Sequence, residues 1–290
     1  MKRRFALVEA AVSCGSPTRG SEGAFDALTA AGLSAVFGGA RLTPMEKLAP
    51  SARWPEGLRC LDTVMEVCRR LRAGVLDALE SGEYPVVIGG DHSCAMGTLA
   101  ALGEFWGAEN VAVVYVDAHT DINTEETSES GCIHGMDLAA ACGLCCEALT
   151  VGRNRVNLLG ENLYVVGARS IDPPEYGILE RTGAHLYTAE AVRERRLEAV
   201  LGEILPALAG KHVHISFDVD VLDPSEFTAT GYNIPGGLTV AEVDRILSAV
   251  LDTGLTGSFE CVEYNPAMDP KGKDLGTLMG ILRRAADKLK

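Results

Sequence analysis

The sequence is short of positive charge: 26 lysines and arginines stand against 40 aspartates and glutamates among its 290 residues, a formal net charge of -14. Because the phosphates of nucleic acids require a basic surface, this deficit argues against nucleic-acid binding. A small cationic substrate is compatible with it. The chain also lacks an apolar run long enough to span a membrane, and it contains no repeat, low-complexity tract or obvious linker. We therefore expect neither a nucleic-acid nor a membrane partner.

The sequence also lacks the even set of cysteines that a disulfide framework needs. Its nine cysteines are scattered, several of them in apolar segments, as is typical of reduced core residues in a cytosolic protein. Cys142 and Cys145 form a Cys-x-x-Cys without a second pair, which favours buried positions over a zinc or redox site. Glu9 interrupts an N-terminal apolar run that is already short for a signal peptide. A cytoplasmic protein is predicted.

Short apolar runs alternate with amphipathic stretches along the chain. This alternation predicts a parallel sheet covered by helices on both faces, and we expect one α/β domain spanning residues 1–290. The predicted strands are 5–12, 33–37, 84–88, the run beginning at 113, 162–166, 184–187, 213–217 and 258–262. The predicted helices begin near 22, 94, 136 and 276, or span 56–79, 173–180, 189–209 and 239–252, the last with Thr239 as its N-cap.

Two stretches, 113–121 and 214–224, have the same design: an apolar strand followed by metal-competent side chains at alternate positions. Residues two apart in extended backbone point the same way, so these side chains can converge on one point beyond the strand. A histidine also follows the strand at 84–88, and ligands of open α/β sheets gather beyond the carboxyl ends of strands. The predicted ligands of a single metal site are His92, Asp117, His119, Asp121, Asp218 and Asp220.

Two imidazoles and four carboxylates are too many for one tetrahedral zinc ion. An oxygen-rich set suits two hard divalent ions, and manganese fits it better than zinc or copper. Two such ions, about 3.5–4 Å apart, would share a bridging hydroxide that is a nucleophile at neutral pH. A single Asp-x-His-x-Asp would mean little, since these residues often cap turns, but two clusters after strands indicate a binuclear centre.

Four motifs, in order along nearly the whole chain, resemble those of the ureohydrolase family of arginases and agmatinases. The resemblance implies a three-layer α/β/α domain with two Mn²⁺ per subunit, hydrolysis of guanidinium groups to urea, and assembly as trimers or hexamers. The segment after Asp121 is more similar to arginases, which implies L-arginine as substrate and urea and ornithine as products. The motifs are Gly89-Gly90-Asp91-His92-Ser93, Asp117-Ala-His-Thr-Asp121-Ile-Asn123-Thr, Ser130-Gly-x-x-His134-Gly135 and Ser216-Phe-Asp-Val-Asp-x-Leu-Asp-Pro224.

The resemblance also implies how the two ends of the amino acid are bound. Asn123 and Ser130 match arginase positions that contact the α-carboxylate, and Asp172 and Glu175 match positions near the α-amine. From the residues alone, Asn123 and Ser130 are ordinary loop residues. Asp172 could equally cap a helix, and Glu175 could favour its first turn.

The catalytic residues implied by the resemblance are His134, which would shuttle a proton, Glu263, which would receive the guanidinium, and Asp121, which would orient the hydroxide. Two positions depart from the arginase pattern. Cys132 stands where arginases usually have asparagine, and a thiol donates hydrogen bonds weakly. Tyr232 stands where they usually have threonine near the guanidinium, so its added bulk could favour another substrate.

Three alternatives to an arginase remain open. The first is a ureohydrolase for agmatine, guanidinobutyrate or formiminoglutamate. The second is a zinc deacetylase-like hydrolase on a similar fold, which needs one metal ion and fewer carboxylates. The third is a non-catalytic metal-binding relative, although a binding protein does not need the proton shuttle that His134 would provide.

Overall fold

The computed structural model describes residues 3–51 and 57–290, and within them eight strands form one sheet. The strands are β1 (Phe5–Ala10), β2 (Arg41–Thr43), β3 (Tyr84–Gly89), β4 (Val111–Val116), β5 (Leu163–Val166), β6 (His185–Tyr187), β7 (His212–Asp218) and β8 (Thr256–Val262). Their order across the sheet is β2-β1-β3-β8-β7-β4-β5-β6, and neighbouring strands are parallel. The predicted α/β class is confirmed.

Helices cover both faces of this sheet. They are α1 (Ala24–Ala30), α2 (Leu33–Val36), α3 (Leu61–Glu80), α4 (Ala95–Trp106), α5 (Asp137–Ala141), α6 (Pro173–Thr182), α7 (Ala189–Arg195), α8 (Leu197–Ala207), α9 (Val240–Asp252) and α10 (Lys273–Leu289). Most predicted elements are found with ends shifted by a few residues, and Thr239 caps α9 as expected. The predicted start of α3 at Glu56 lies outside the described residues. Among the described helices, none is both long and apolar enough to cross a membrane.

The sheet separates two apolar cores, because successive side chains of a strand point to opposite faces. In β4, Val113 and Tyr115 belong to the core that includes α3, α4 and α5, while Val114 and Val116 belong to the core that includes α1, α8, α9 and α10. Burial on both faces explains why β4 is a continuous apolar run in the sequence. All nine cysteines are free thiols.

The predicted strand at 33–37 is wrong: these residues form the short helix α2 and its C-terminal cap. Leu33 and Phe37 are both buried and are spaced by one helical turn, which a short apolar run does not distinguish from a strand. Gly32 adopts a left-handed conformation with φ of 93° immediately before the helix. The edge strand next to β1 is instead β2, which is three residues long and largely exposed, and so has no apolar pattern.

The predicted helix at 189–209 is also wrong as a single element. The chain breaks between α7 and α8 at Arg196, which has φ of 66° and ψ of 138°. No glycine or proline marks this break, so the local sequence contains no signal for it.

The order of the strands brings the candidate site residues to one edge of the sheet. Strands β3, β8, β7 and β4 are consecutive neighbours, and parallel strands end at the same edge. Gly90, which directly follows β3, connects the ends of β1 and β8: its amide donates a hydrogen bond to the Ala10 carbonyl, and its carbonyl accepts one from the Glu263 amide. A Cβ atom at Gly90 would lie 1.5 Å from the Val12 carbonyl oxygen, so only glycine fits there.

Candidate metal centre

The two aspartates that follow β4 and β7 organise their loops in the same way. One Asp117 side-chain oxygen accepts a hydrogen bond from the amide of His119 at 2.6 Å, and Asp218 accepts one from the amide of Asp220 at 2.7 Å. Each aspartate therefore turns the chain so that the residue two positions later faces the same side. This repeated turn is the physical basis of the alternating pattern in the sequence.

The predicted ligands form two clusters that share one residue. The His92 cluster consists of His92, Asp117 and Asp218, and the His119 cluster consists of Asp117, His119 and Asp220; within each cluster the ligand atoms lie within 4.8 Å of one another. In the His92 cluster, Nδ1 of the histidine is 2.9 Å from Asp117 Oδ2 and 3.2 Å from Asp218 Oδ2. In the His119 cluster, Nδ1 is 3.4 Å from Asp117 Oδ1 and 3.1 Å from Asp220 Oδ2.

Asp121, the remaining predicted ligand, belongs to neither cluster but lies beside the first. Its Oδ2 is 3.4 Å from His92 Nδ1. Its backbone has φ of 40°, an uncommon conformation for a residue other than glycine, which turns the chain at the end of the motif. Its part in metal binding stays a prediction.

The ligand atoms of the His92 cluster are arranged to bind a cation rather than to hydrogen-bond to one another. Asp117 Oδ2 is buried and accepts no hydrogen bond among the described residues, although His92 Nδ1 is only 2.9 Å away. A buried carboxylate oxygen without a donor is costly. A divalent ion between these atoms would remove that cost, and carboxylate and imidazole are ligands that manganese accepts.

The structure adds a hydrogen-bonded support for His92 that sequence reasoning missed. The imidazole Nε2 is 2.8 Å from Ser216 Oγ, which donates to Glu260 Oε1 at 2.9 Å. This leaves Nδ1 facing the cluster, as a metal-binding histidine requires. Glu260 could have been found from the sequence, because it is an acidic residue within the buried strand β8. Tyr115 and Asp137 also lie beside the cluster, and their sequence contexts contain no such signal.

A cavity of about 220 Å³ opens onto the His119 cluster. Its wall contains His119 and Asp121 at one end, and Ser128 and Ser170, which sequence reasoning missed, elsewhere. Apart from Glu263, the predicted substrate contacts line this cavity, as does the predicted proton shuttle: Asn123, Ser130, His134, Asp172, Glu175 and Tyr232. The arrangement therefore joins residues from three loops and the first turn of α6 into one pocket beside the predicted metal ligands.

Glu263 lies behind His134 and is not in the wall of the cavity. Its Oε1 is 3.3 Å from His134 Nδ1 and accepts a hydrogen bond from the His92 amide. The Tyr232 ring covers the same region: it stacks on His134 with centroids 5.6 Å apart and meets His119 edge-on at 5.2 Å. The aromatic ring therefore lies at the approach to both the His119 cluster and Glu263.

Comparison with known proteins agrees with this geometry. The sequence model of the Arginase family matches residues 6–285. The arginase of Bacillus subtilis strain 168 is 37% identical over 241 residues, 80% of this chain and 79% of the relative. The arginase of Bacillus caldovelox is 36% identical over 228 residues, 78% and 76% of the two chains. The chain belongs to the arginase family.

The fold of this arginase-family protein is also that of a solved relative. The native structure of Bacillus caldovelox arginase at pH 5.6 superposes with a TM-score of 0.89 at 30% identity, covering 98% of each chain. The resemblance inferred from the four motifs is therefore confirmed. The family is metal-dependent, and among the described residues the two His/Asp clusters could bind metal.

The electrostatics of the arginase-family site favour binding of positive charge. Burial, and then the negative charges of Asp220 and Asp117, hold the pKa of Asp218 well above its ordinary value. Burial and the charge of Asp117 likewise raise the pKa of Asp121 to about 7. Burial lowers the pKa of His92, but Asp117 and Asp218 more than offset it, so this pKa lies well above its ordinary value. Without a cation the site would retain protons.

We predict that the metal-free protein becomes less stable as pH rises from about 5 to 8. The pKa of Asp121 is about 7 in the folded chain against 3.8 ordinarily, so the stability from keeping this proton is lost as pH rises towards 7. The raised pKa of His92 acts in the same direction. Bound Mn²⁺ requires deprotonated ligands, so the loaded protein should instead gain stability over this range.

Thermal unfolding in chelator and in excess Mn²⁺ across this pH range measures both trends. The Asp121→Asn variant, which cannot ionise at this position, should show a shallower decline in its metal-free form. A metal-free wild-type protein whose melting temperature rises steadily from pH 5 to 8 would contradict the prediction.

Proposed function

We propose that this protein is a hydrolase that cleaves the guanidinium group of L-arginine to urea and ornithine, with two Mn²⁺ per subunit. The observation that supports this most strongly is the sharing of Asp117 between two His/Asp clusters beside one pocket. The relatives in Bacillus subtilis and Bacillus caldovelox are named arginases. The described strands form one sheet, which supports a single domain over residues 1–290. We also propose a cytoplasmic homo-oligomer, a trimer or hexamer.

Each cluster would hold one ion. His92, Asp117 and Asp218 would bind the first and Asp117, His119 and Asp220 the second, with Asp121 beside the first. When bound, such a pair supplies Lewis acidity and lowers the pKa of water to about 7, which makes a nucleophile available at neutral pH.

The residues around the clusters would position the guanidinium and manage the protons. Glu263 would pair with the planar guanidinium, and Asp121 would orient the attacking oxygen by accepting its hydrogen bond. Burial lowers the pKa of His134, but its contact with Glu263 and the charge of that residue more than offset this, and the pKa lies above its ordinary value. His134 can therefore hold a proton and deliver it to the departing amine.

The far end of the pocket offers hydrogen-bond donors for the α-carboxylate of an amino acid and acceptors for its α-amine. Ser130 and Asn123 would donate hydrogen bonds to the α-carboxylate, and Asp172 would accept them from the α-amine. The side-chain amide of Asn123 donates a hydrogen bond to Asp172 Oδ2 at 2.9 Å, which connects the predicted carboxylate contact with the predicted amine contact. The Glu175 carboxylate accepts hydrogen bonds from the backbone amides of Asp172 and Ile122. Glu175 would therefore influence binding of the α-amine indirectly, by holding Asp172 in position.

The position of Tyr232 favours a second candidate, a ureohydrolase for a different guanidino or formimino compound. Its ring stands between His119 and His134, where bulk limits what can approach. Cys132, which is buried and lines the pocket, is a weak donor for a carboxylate. Agmatine, which lacks a carboxylate, would not need that donor.

The proposal predicts that the Mn²⁺-loaded protein releases urea from L-arginine faster than from agmatine or guanidinobutyrate. Formiminoglutamate, assayed for formamide, completes the panel. His134→Asn should keep both ions but lose roughly 100- to 10,000-fold in kcat, because the general acid is missing.

If the protein hydrolyses agmatine but not arginine, the proposed substrate is wrong and agmatine takes its place. Absence of turnover on the whole panel by a fully loaded protein would support a binding protein instead. One zinc per chain, measured by elemental analysis of the protein as isolated, would favour the deacetylase-like alternative.

We further predict that Tyr232→Thr lowers the KM for arginine by about tenfold, because removal of the ring opens the approach to Glu263 and the His119 cluster. Tyr232→Phe, which keeps the ring and loses only the hydroxyl, is the matched control and should leave KM near the wild-type value. Steady-state urea assays measure both. A raised KM for the threonine variant would show instead that arginine uses the ring as a contact.

A further inference from the structure

Tyr115 lies against the His92 cluster with both its ring and its hydroxyl. The side chain is completely buried, and its ring stacks on the His92 imidazole with centroids 4.4 Å apart and planes 8° apart. Its hydroxyl oxygen is 2.9 Å from His92 Nδ1 and 2.9 Å from Asp121 Oδ2. One side chain therefore contacts two of the predicted ligands at their metal-facing atoms.

Asp137 contacts the same hydroxyl from the other side. This aspartate is the first residue of α5 and is fully buried. Its Oδ2 and Oδ1 lie 3.2 and 3.4 Å from the Tyr115 hydroxyl, which is the only hydrogen-bond donor to this carboxylate among the described residues. Because burial of a carboxylate is costly without a donor, packing alone does not account for an aspartate at this position.

The two nitrogens of His92 are thus supported differently. Ser216 and Glu260 hold Nε2, which faces away from the cluster, and they fix which nitrogen is free to bind metal. Tyr115 fixes the plane of the ring by stacking, and its hydroxyl lies beside Nδ1. An apolar aromatic ring could stack equally well, so the hydroxyl and its contact with Asp137 need a separate explanation.

We propose that Tyr115 and Asp137 are positioning residues of the metal centre. Tyr115 orients His92 and Asp121 toward the first ion, and Asp137 acts through Tyr115 by holding its hydroxyl in place. This inference rests on the metal centre of the proposed function. Groups that orient metal ligands typically change metal affinity by about 10- to 100-fold when they are removed.

The test measures metal binding rather than turnover. Wild type, Tyr115→Phe, Asp137→Asn and the double variant are stripped with chelator and equilibrated with graded free Mn²⁺, and bound manganese per chain is counted by elemental analysis. We expect Tyr115→Phe to weaken binding of one of the two ions by about 10- to 100-fold. Asp137→Asn should weaken binding of the same ion by a similar or smaller factor. The double variant should bind that ion no more weakly than Tyr115→Phe does.

Tyr164→Phe is the matched control, because it removes the hydroxyl of a buried tyrosine from the adjacent strand β5, on the side of the sheet away from Tyr115. It should bind both ions as the wild type does. Circular dichroism and thermal unfolding of each metal-free variant separate loss of affinity from loss of fold. If Tyr115→Phe does not fold, the test rests on Asp137→Asn alone: the proposal holds if this variant weakens binding of one of the two ions, and fails if it does not.

Unchanged affinity for both ions in Tyr115→Phe would overturn the proposal. So would an Asp137→Asn effect that is undiminished in the Tyr115→Phe background, since Asp137 would then not act through the tyrosine. These results differ from failure of the proposed function, in which the wild type itself binds no pair of Mn²⁺ ions or releases no urea.

Discussion

The interaction on which this structure depends is the contact of one buried aspartate with two histidines. Asp117 has no solvent exposure, and its two oxygens face different imidazoles, His92 at 2.9 Å and His119 at 3.4 Å. Such a carboxylate is stable in an apolar interior only if positive charge compensates it. The protonated histidines can do so in the metal-free chain, and divalent cations can do so when they bind. The site is therefore a feature of stability as well as of function.

The parallel sheet makes this concentration of charge possible. Strands β8, β7 and β4 lie at its centre, and their carboxyl ends open at one edge, so residues far apart in sequence meet there. The rigid strands set the positions of Asp117 and Asp218, while short turns set those of His119 and Asp220. The pocket beside the clusters is lined from longer loops, which carry Cys132 and Tyr232. In the proposed enzyme, the sheet would fix the metal ligands and these loops would select the substrate.

The sequence predicted the residues of the two His/Asp clusters because its signal for them is local. The alternating spacing after an apolar strand predicted that Asp117 lies with His119, and Asp218 with Asp220. In the structure, turns closed by the two aspartate side chains, rather than extended backbone, bring these pairs together. The features that were not predicted depend on contacts distant in the chain. Tyr115 looked like an ordinary strand residue because its partner Asp137 is 22 positions away.

Errors in the fold have similar causes. The edge strand β2 gains its conformation from pairing with β1 rather than from its own three residues. A short apolar run such as 33–37 suits a helix and a strand equally, and packing against the core decides between them. The break at Arg196 has no local signal. The resemblance to ureohydrolases supplied what local patterns do not contain, namely the expected roles of His134, Glu263 and the loop residues.

The central claim is that two cations share Asp117, and anomalous diffraction from crystals of the Mn²⁺-loaded protein tests it most directly. The account predicts two manganese peaks, one among His92, Asp117 and Asp218 and the other among Asp117, His119 and Asp220. A single peak, or peaks that do not contact Asp117, would contradict it.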